Sequence, residues 1–154
     1  MTSRLDLKVP PPAVAALCAL LMWAASRQFP ELEFENPGRS LATGALVMAG
    51  LFFDIAGFLA FRDKQTTINP LKPTGTITVV QHGIYRLTRN PMYVGQLLLL
   101  LSWAVWLSHF AAVIGLPVFV AYLNRFQIMP EERILAAKFG EVYSNYAKRV
   151  RRWF

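Results

Sequence analysis

At 154 residues, 55% of them apolar and with a mean hydropathy of +0.36, the chain has room for one compact unit only. Sixteen Lys and Arg against nine Asp and Glu leave a net charge of +7, an excess that marks either nucleic-acid binding or a membrane surface. One cysteine and two histidines exclude an internal disulfide and are too few for a usual zinc site.

The apolar residues fall in blocks: Val9 to Ala25, Leu41 to Phe61 and Leu97 to Val120, the pattern of bilayer-spanning helices. In the first block Arg4 and Lys8 precede an Ala-rich core, which resembles a signal peptide. Pro10, Pro11 and Pro12 start a helix there, however, and Trp23 and Phe29 carry it to the interface, so a retained span over 9–29 is expected, with Cys18 a small core residue inside it. The second span, 41–61, holds Asp54 with Gly50 and Gly57 on the same helical face. An acid so placed points at a close-packed neighbour helix, as a functional group or as a packing residue.

From Pro91 to Met129 the only charged residue is Arg125, and as a single helix this stretch would measure about twice the ~30 Å hydrocarbon core. A hairpin near 108–112, around Ser108 and His109, divides it into spans at 91–108 and 111–129, with His109 structural at the outer turn. Four spans place every cation except Arg27 and Arg39 on one side, which by the positive-inside rule is the cytoplasm. The expected fold is an all-α integral membrane protein, one domain over 1–154. It has four transmembrane helices with both termini inside, a cytoplasmic loop at 62–90 and a C-terminal amphipathic helix at 130–148. Because the cations flank membrane helices, membrane lipids and not nucleic acid are the expected charged partners, and the tail from Lys148 to Phe154 reads as a basic, aromatic headgroup anchor.

The polar residues of the inner side are where chemistry is expected. The 62–90 loop is long for a helix hairpin and contains a β-like run, Thr76 to Val80. Asn90 is a good N-cap and Pro91 a good first helical residue, so the third span turns its amide groups and positive dipole end to the cytoplasm. Such an end attracts a carboxylate or phosphate, with Arg89 or Arg86 completing a clamp; a plain helix start beside topogenic arginines is the competing reading. Pro130-Glu131-Glu132 opens the final helix, where Leu135, Phe139, Val142, Tyr143 and Tyr146 recur at helical spacing. Its two carboxylates are either dipole partners or face the 76–93 loop across the hairpin. An anion-binding helix end opposite a carboxylate suits a zwitterionic, cationic small molecule. Dinucleotide-fold, P-loop and serine-hydrolase motifs do not occur in the sequence.

The string Gly83-Ile84-Tyr85-Arg86, then Arg89-Asn90-Pro91-Met92-Tyr93-Val94-Gly95, then Glu131-Glu132 and Leu135 with Phe139-Gly140, Tyr143 and Tyr146, closely resembles the isoprenylcysteine carboxyl methyltransferase and phospholipid methyltransferase family. The resemblance covers roughly residues 66–154, and it departs from the family at Asn90, where a histidine is frequent. It implies an S-adenosylmethionine-dependent methyltransferase acting on an isoprenylcysteine-like carboxylate or a lipid, with O-methylation of a carboxyl group foremost. Cofactor contacts carried over by the resemblance are Thr78, Val79, Val80, Tyr85, Asn90, Pro91, Met92, Tyr93 and Glu131, with Arg89 beside them. Glu132 is expected to orient neighbours or the substrate, and Arg125 to hold an acidic substrate group. A bacterial inner membrane with the site facing the cytoplasm is the expected location, and the glycine-bearing second helix offers a face for a homodimer. An NADPH-dependent membrane reductase and a non-catalytic membrane subunit are the rival classes.

Overall fold

The computed structural model describes residues 5–63 and 73–154, and its regular elements are helices, with no strand among the described residues. The part of the 62–90 loop at 64–72 lies outside the described residues. The β-like run Thr76–Val80 is irregular loop with a bend at Thr78, and not strand.

Helix α1, Pro11–Gln28, begins on its proline run and buries Val14, Cys18 and Met22. Helix α2, Arg39–Asp63, lies against α3, Pro91–Leu107. The two approach closely because glycines face each other. A Cβ on Gly95 would collide with the Asp54 carboxylate and come within 2.8 Å of the Gly50 carbonyl, while one on Gly57 would lie 2.8 Å from Met92 Cγ. Asp54 thus faces a neighbouring helix, and Gly50 and Gly57 are occupied within the chain.

Helix α3 ends at Ser108, whose left-handed backbone (φ 50°) reverses the chain. His109 then caps the next helix by accepting from the Ala111 N–H through Nδ1. Its Nε2 lies 2.7 Å from the Phe29 carbonyl, and the Ser108 carbonyl accepts from the Phe34 N–H. These bonds tie the α1–α2 connection to the α3 turn. The return rod runs through α4 (Phe110–Val113), α5 (Gly115–Leu123), a π-helical turn (Asn124–Ile128) and α6 (Met129–Phe139). Where the pattern predicts one helix over 130–148, the chain has two, since Gly140, at φ +52°, breaks α6 from α7, Glu141–Arg149.

The exterior is apolar. Leu41, Met48, Phe52, Ile55 and Phe58 of α2 are exposed, as are Leu17, Leu20 and Leu21 of α1. Helical stretches at 39–62 and 110–139 are long and apolar enough to cross a membrane, α3 being a shorter apolar helix beside them. Only 11% of the most apolar stretch of α2 is buried, so its hydrophobicity is not that of a soluble core helix and fits a lipid surround.

Candidate active site

Pro130 shapes one end of the bundle. It has no N–H, so the carbonyl four residues earlier, on Phe126, loses its helical donor. The chain forms the π turn at Asn124–Ile128, and the freed Phe126 carbonyl accepts from the Leu7 N–H at 2.9 Å. Gln127 and Ile128 are thereby buried, and Glu131 and Glu132 lie opposite the amino end of α3.

At that end Asn90 occupies the N-cap position, and its carbonyl accepts from the Tyr93 and Val94 N–H groups, both at 3.0 Å. Its side chain does not cap the helix. The amide Nδ2 donates instead to the Arg152 carbonyl at 2.9 Å, which the Thr88 hydroxyl also donates to, and the Arg89 N–H donates to the Arg151 carbonyl. The C-terminal strand of chain therefore crosses the start of α3. Met92 N–H is left as a first-turn donor with no partner among the described residues.

Two carboxylates divide the work here. Tyr93 Oη donates to Glu131 Oε2 at 3.1 Å, and Gln127 bonds the same carboxylate. Glu132 is gripped by two guanidiniums, with Arg89 Nη1 3.1 Å from its Oε1 and Arg152 bidentate at 2.9 and 2.6 Å. Arg89 also donates to the Tyr143 hydroxyl at 3.5 Å, and its Nε is buried without a partner. Tyr146 donates to the Tyr85 carbonyl at 2.8 Å and so fixes the 3-10 turn Gly83–Arg86. Burial foremost, then the Glu132 charge, pushes the Tyr143 phenol up to about 12 despite the opposing pull of Arg89. Burial also raises Tyr85 and Tyr146, so all three stay protonated donors.

These groups surround one cavity of about 80 Å³, room for roughly five waters. Of the residues expected from the sequence, the structure brings Thr78, Val79, Val80, Tyr85, Arg89, Asn90, Met92, Tyr93, Glu131 and Glu132 to its wall. Pro91 does not line it and is buried in the first turn of α3, within reach of Gly57. Arg125 stands apart from it, half-exposed, 3.6 Å from Asp6 and over the Phe126 ring. Glu132, expected to orient neighbours or the substrate, is held by its two arginines. Sequence reasoning missed Arg152, taken as part of a headgroup anchor, and it missed the cavity-lining role of Tyr143 and Tyr146. The i, i+3 spacing of those tyrosines placed them on one helical face, but not which element that face meets.

An apolar-surfaced helical bundle with a polar, donor-rich cavity at one end of its helices is the architecture of a membrane enzyme. The phospholipid methyltransferase family matches residues 39–142, and the chain belongs to that family of membrane methyltransferases. It is also similar to an uncharacterized protein of Haemophilus influenzae, 45% identical over 62 residues that make up 40% of this chain and 98% of that relative. No solved structure matches the chain.

Proposed function

We propose that the protein is an S-adenosylmethionine-dependent methyltransferase that methylates a lipophilic acceptor at the cytoplasmic face of a bacterial inner membrane. The acceptor is a lipid or lipid-modified molecule with an oxygen, nitrogen or sulfur nucleophile, a carboxylate being the one the resemblance puts first. In this reading α1, α2, α3 and the α4–α6 rod are four spans with both termini inside, an arrangement supported by the cation distribution.

The observation that carries the proposal is the pairing of unsatisfied donors with an acid around one cavity. Among the described residues Arg89 Nε and the Met92 N–H have no partner, and Glu131 faces the same space. The donors suit an amino-acid carboxylate, and Glu131, oriented by the Tyr93 hydroxyl, suits the ammonium or ribose hydroxyls. Tyr85 and Tyr93 present electron-rich rings, and Val79, Val80, Ile128 and Leu135 exclude water. When bound, the sulfonium group supplies a methyl carbon already activated by positive charge. The protein's part is to orient the reactants and keep the site dry. A nucleoside exceeds the space present, so binding must widen the gap between the 73–80 segment and α6. Purified protein incubated with radiolabelled methyl donor and total membrane extract should label a lipid fraction, and Glu131→Gln should weaken donor binding in calorimetry. An undiminished affinity in Glu131→Gln, or no binding by the natural chain, would refute the assignment.

A further inference from the structure

Helix α7 ends at Arg149, and at Val150 the backbone becomes extended (φ −121°, ψ 133°). The strap that follows is bound along its inner side to four elements. Its Arg151 and Arg152 carbonyls take up three donors at the start of α3, the Arg89 N–H, the Thr88 hydroxyl and the Asn90 side-chain amide. The Arg152 side chain holds Glu132 of α6, and Trp153 Nε1 donates to Asn124 Oδ1 of the π turn at 3.1 Å. The Phe154 ring stands edge-on to Phe53 of α2, with 5.8 Å between centroids. Contact with α2 and with the return rod puts the strap at the edge of the apolar bundle.

With the strap lifted, the three donors at the start of α3 would lose their acceptors. Glu132 would be left to Arg89 alone, whose guanidinium would turn wholly to that carboxylate. A seated strap therefore orders the residue whose Nε faces the polar cavity. Seating it has an electrostatic obstacle, because Lys148, Arg149, Arg151 and Arg152 bring four cations into five residues. Among the described ion pairs, Glu132 answers one of them, Arg152. Arg149 is engaged with Gln81, whereas Lys148 and Arg151 are exposed, next to a Phe154 ring that is 61% exposed. Cations beside an exposed aromatic ring at the edge of a lipid-facing bundle match an anionic headgroup surface, which supplies the missing counter-charge.

We propose that the outer side of this segment docks on anionic lipid headgroups through Lys148 and Arg151, and that docking seats the strap and so tightens the methyl-donor site. The inference rests on the methyltransferase reading for what that site binds, and it makes membrane charge a regulator of binding. Apparent affinity scales with the seated fraction, so a strap seated about one fifth of the time on neutral lipid gains up to about fivefold when fully seated.

The test uses the full chain in nanodiscs of phosphatidylcholine alone and of phosphatidylcholine with about one third phosphatidylglycerol. Hydrogen exchange at the Arg89 amide, which the Arg151 carbonyl takes up, reports the strap without any ligand. Exchange there should slow about threefold or more in the anionic discs. The calorimetric probe is S-adenosylhomocysteine, whose zero net charge keeps an anionic surface from concentrating it. It should bind about three- to fivefold tighter in the anionic discs, a gain that ~0.5 M salt removes. Lys148→Gln combined with Arg151→Gln should keep the affinity seen in phosphatidylcholine and lose both gains, since the strap is held by the Arg151 carbonyl and not by its side chain. Equal exchange of the natural chain in the two discs overturns the inference whether or not the variant folds, as does a double variant that keeps the slowing. Slowed exchange in a natural chain that binds neither S-adenosylhomocysteine nor S-adenosylmethionine would instead uphold the docking and overturn the methyltransferase reading.

Discussion

Neutralising Glu132 should cost far more than neutralising either the charge or the reach of Arg152, although the two form the shortest ion pair of the site. In Glu132→Gln, Arg89 keeps its charge with only 13% of its side chain exposed and loses its counter-ion. Breaking such a pair costs about 3–5 kcal/mol when fully buried. Glu132 is itself 18% exposed, so the lower end, about 3 kcal/mol, applies. Arg152 is 39% exposed, and water screens its pair. Arg152→Gln should therefore cost about 1 kcal/mol, with Glu132 still neutralised by Arg89. Adding Arg152→Gln to Glu132→Gln should cost nothing further, since it removes a cation left without a partner. The assay is unfolding by SDS in mixed micelles followed by tryptophan fluorescence, with all four members of the double-mutant cycle. Equal costs for the two single variants, or strictly additive costs, would refute the argument that Glu132 exists to hold Arg89.

Gly95→Ala should destabilise by about 3 kcal/mol in the same assay, because its methyl meets the Asp54 carboxylate and the Gly50 backbone. Gly115→Ala, which meets only the Met22 side chain, should cost about 1 kcal/mol, and comparable values would deny the close α2–α3 contact. Tyr93→Phe removes the hydroxyl that orients Glu131 and should weaken S-adenosylmethionine binding about tenfold by calorimetry with little change in melting; unaltered affinity would detach Tyr93 from the donor site. Gly140→Ala forces a side chain into φ +52°, ψ −123°, at a cost of about 1–3 kcal/mol. It should also lower donor affinity by displacing Tyr143 and Tyr146, and a variant with normal stability and binding would show that the break before α7 is not needed.

Much of this protein can be read from one-dimensional facts. Apolar blocks cannot be solvated and so become lipid-facing helices, as the exposed residues of α2 are. The glycines flanking Asp54 turn that acid to a neighbouring helix, and the Asn90-Pro91 pair starts α3 where the chain can do nothing else locally. Pro130 reads in the sequence as the start of the final helix, whereas the structure places it inside a continuous rod, just after a π-helical turn.

What a spacing cannot show is which distant group answers a local need. Asn90 has the chemistry of a capping residue, yet its amide turns to the Arg152 carbonyl, because the tail, 62 residues away in sequence, packs across the helix end. Arg152 and Glu132 look like an interfacial cation and a helix-start acid until folding sets them side by side over Arg89. Arg125, also near the site in sequence, is taken outward by Asp6. Local propensity and hydropathy act within a few residues and fix the elements, whereas the pairing of charges and donors is decided by the packing of elements far apart in the chain, and that exists only once the helices have met.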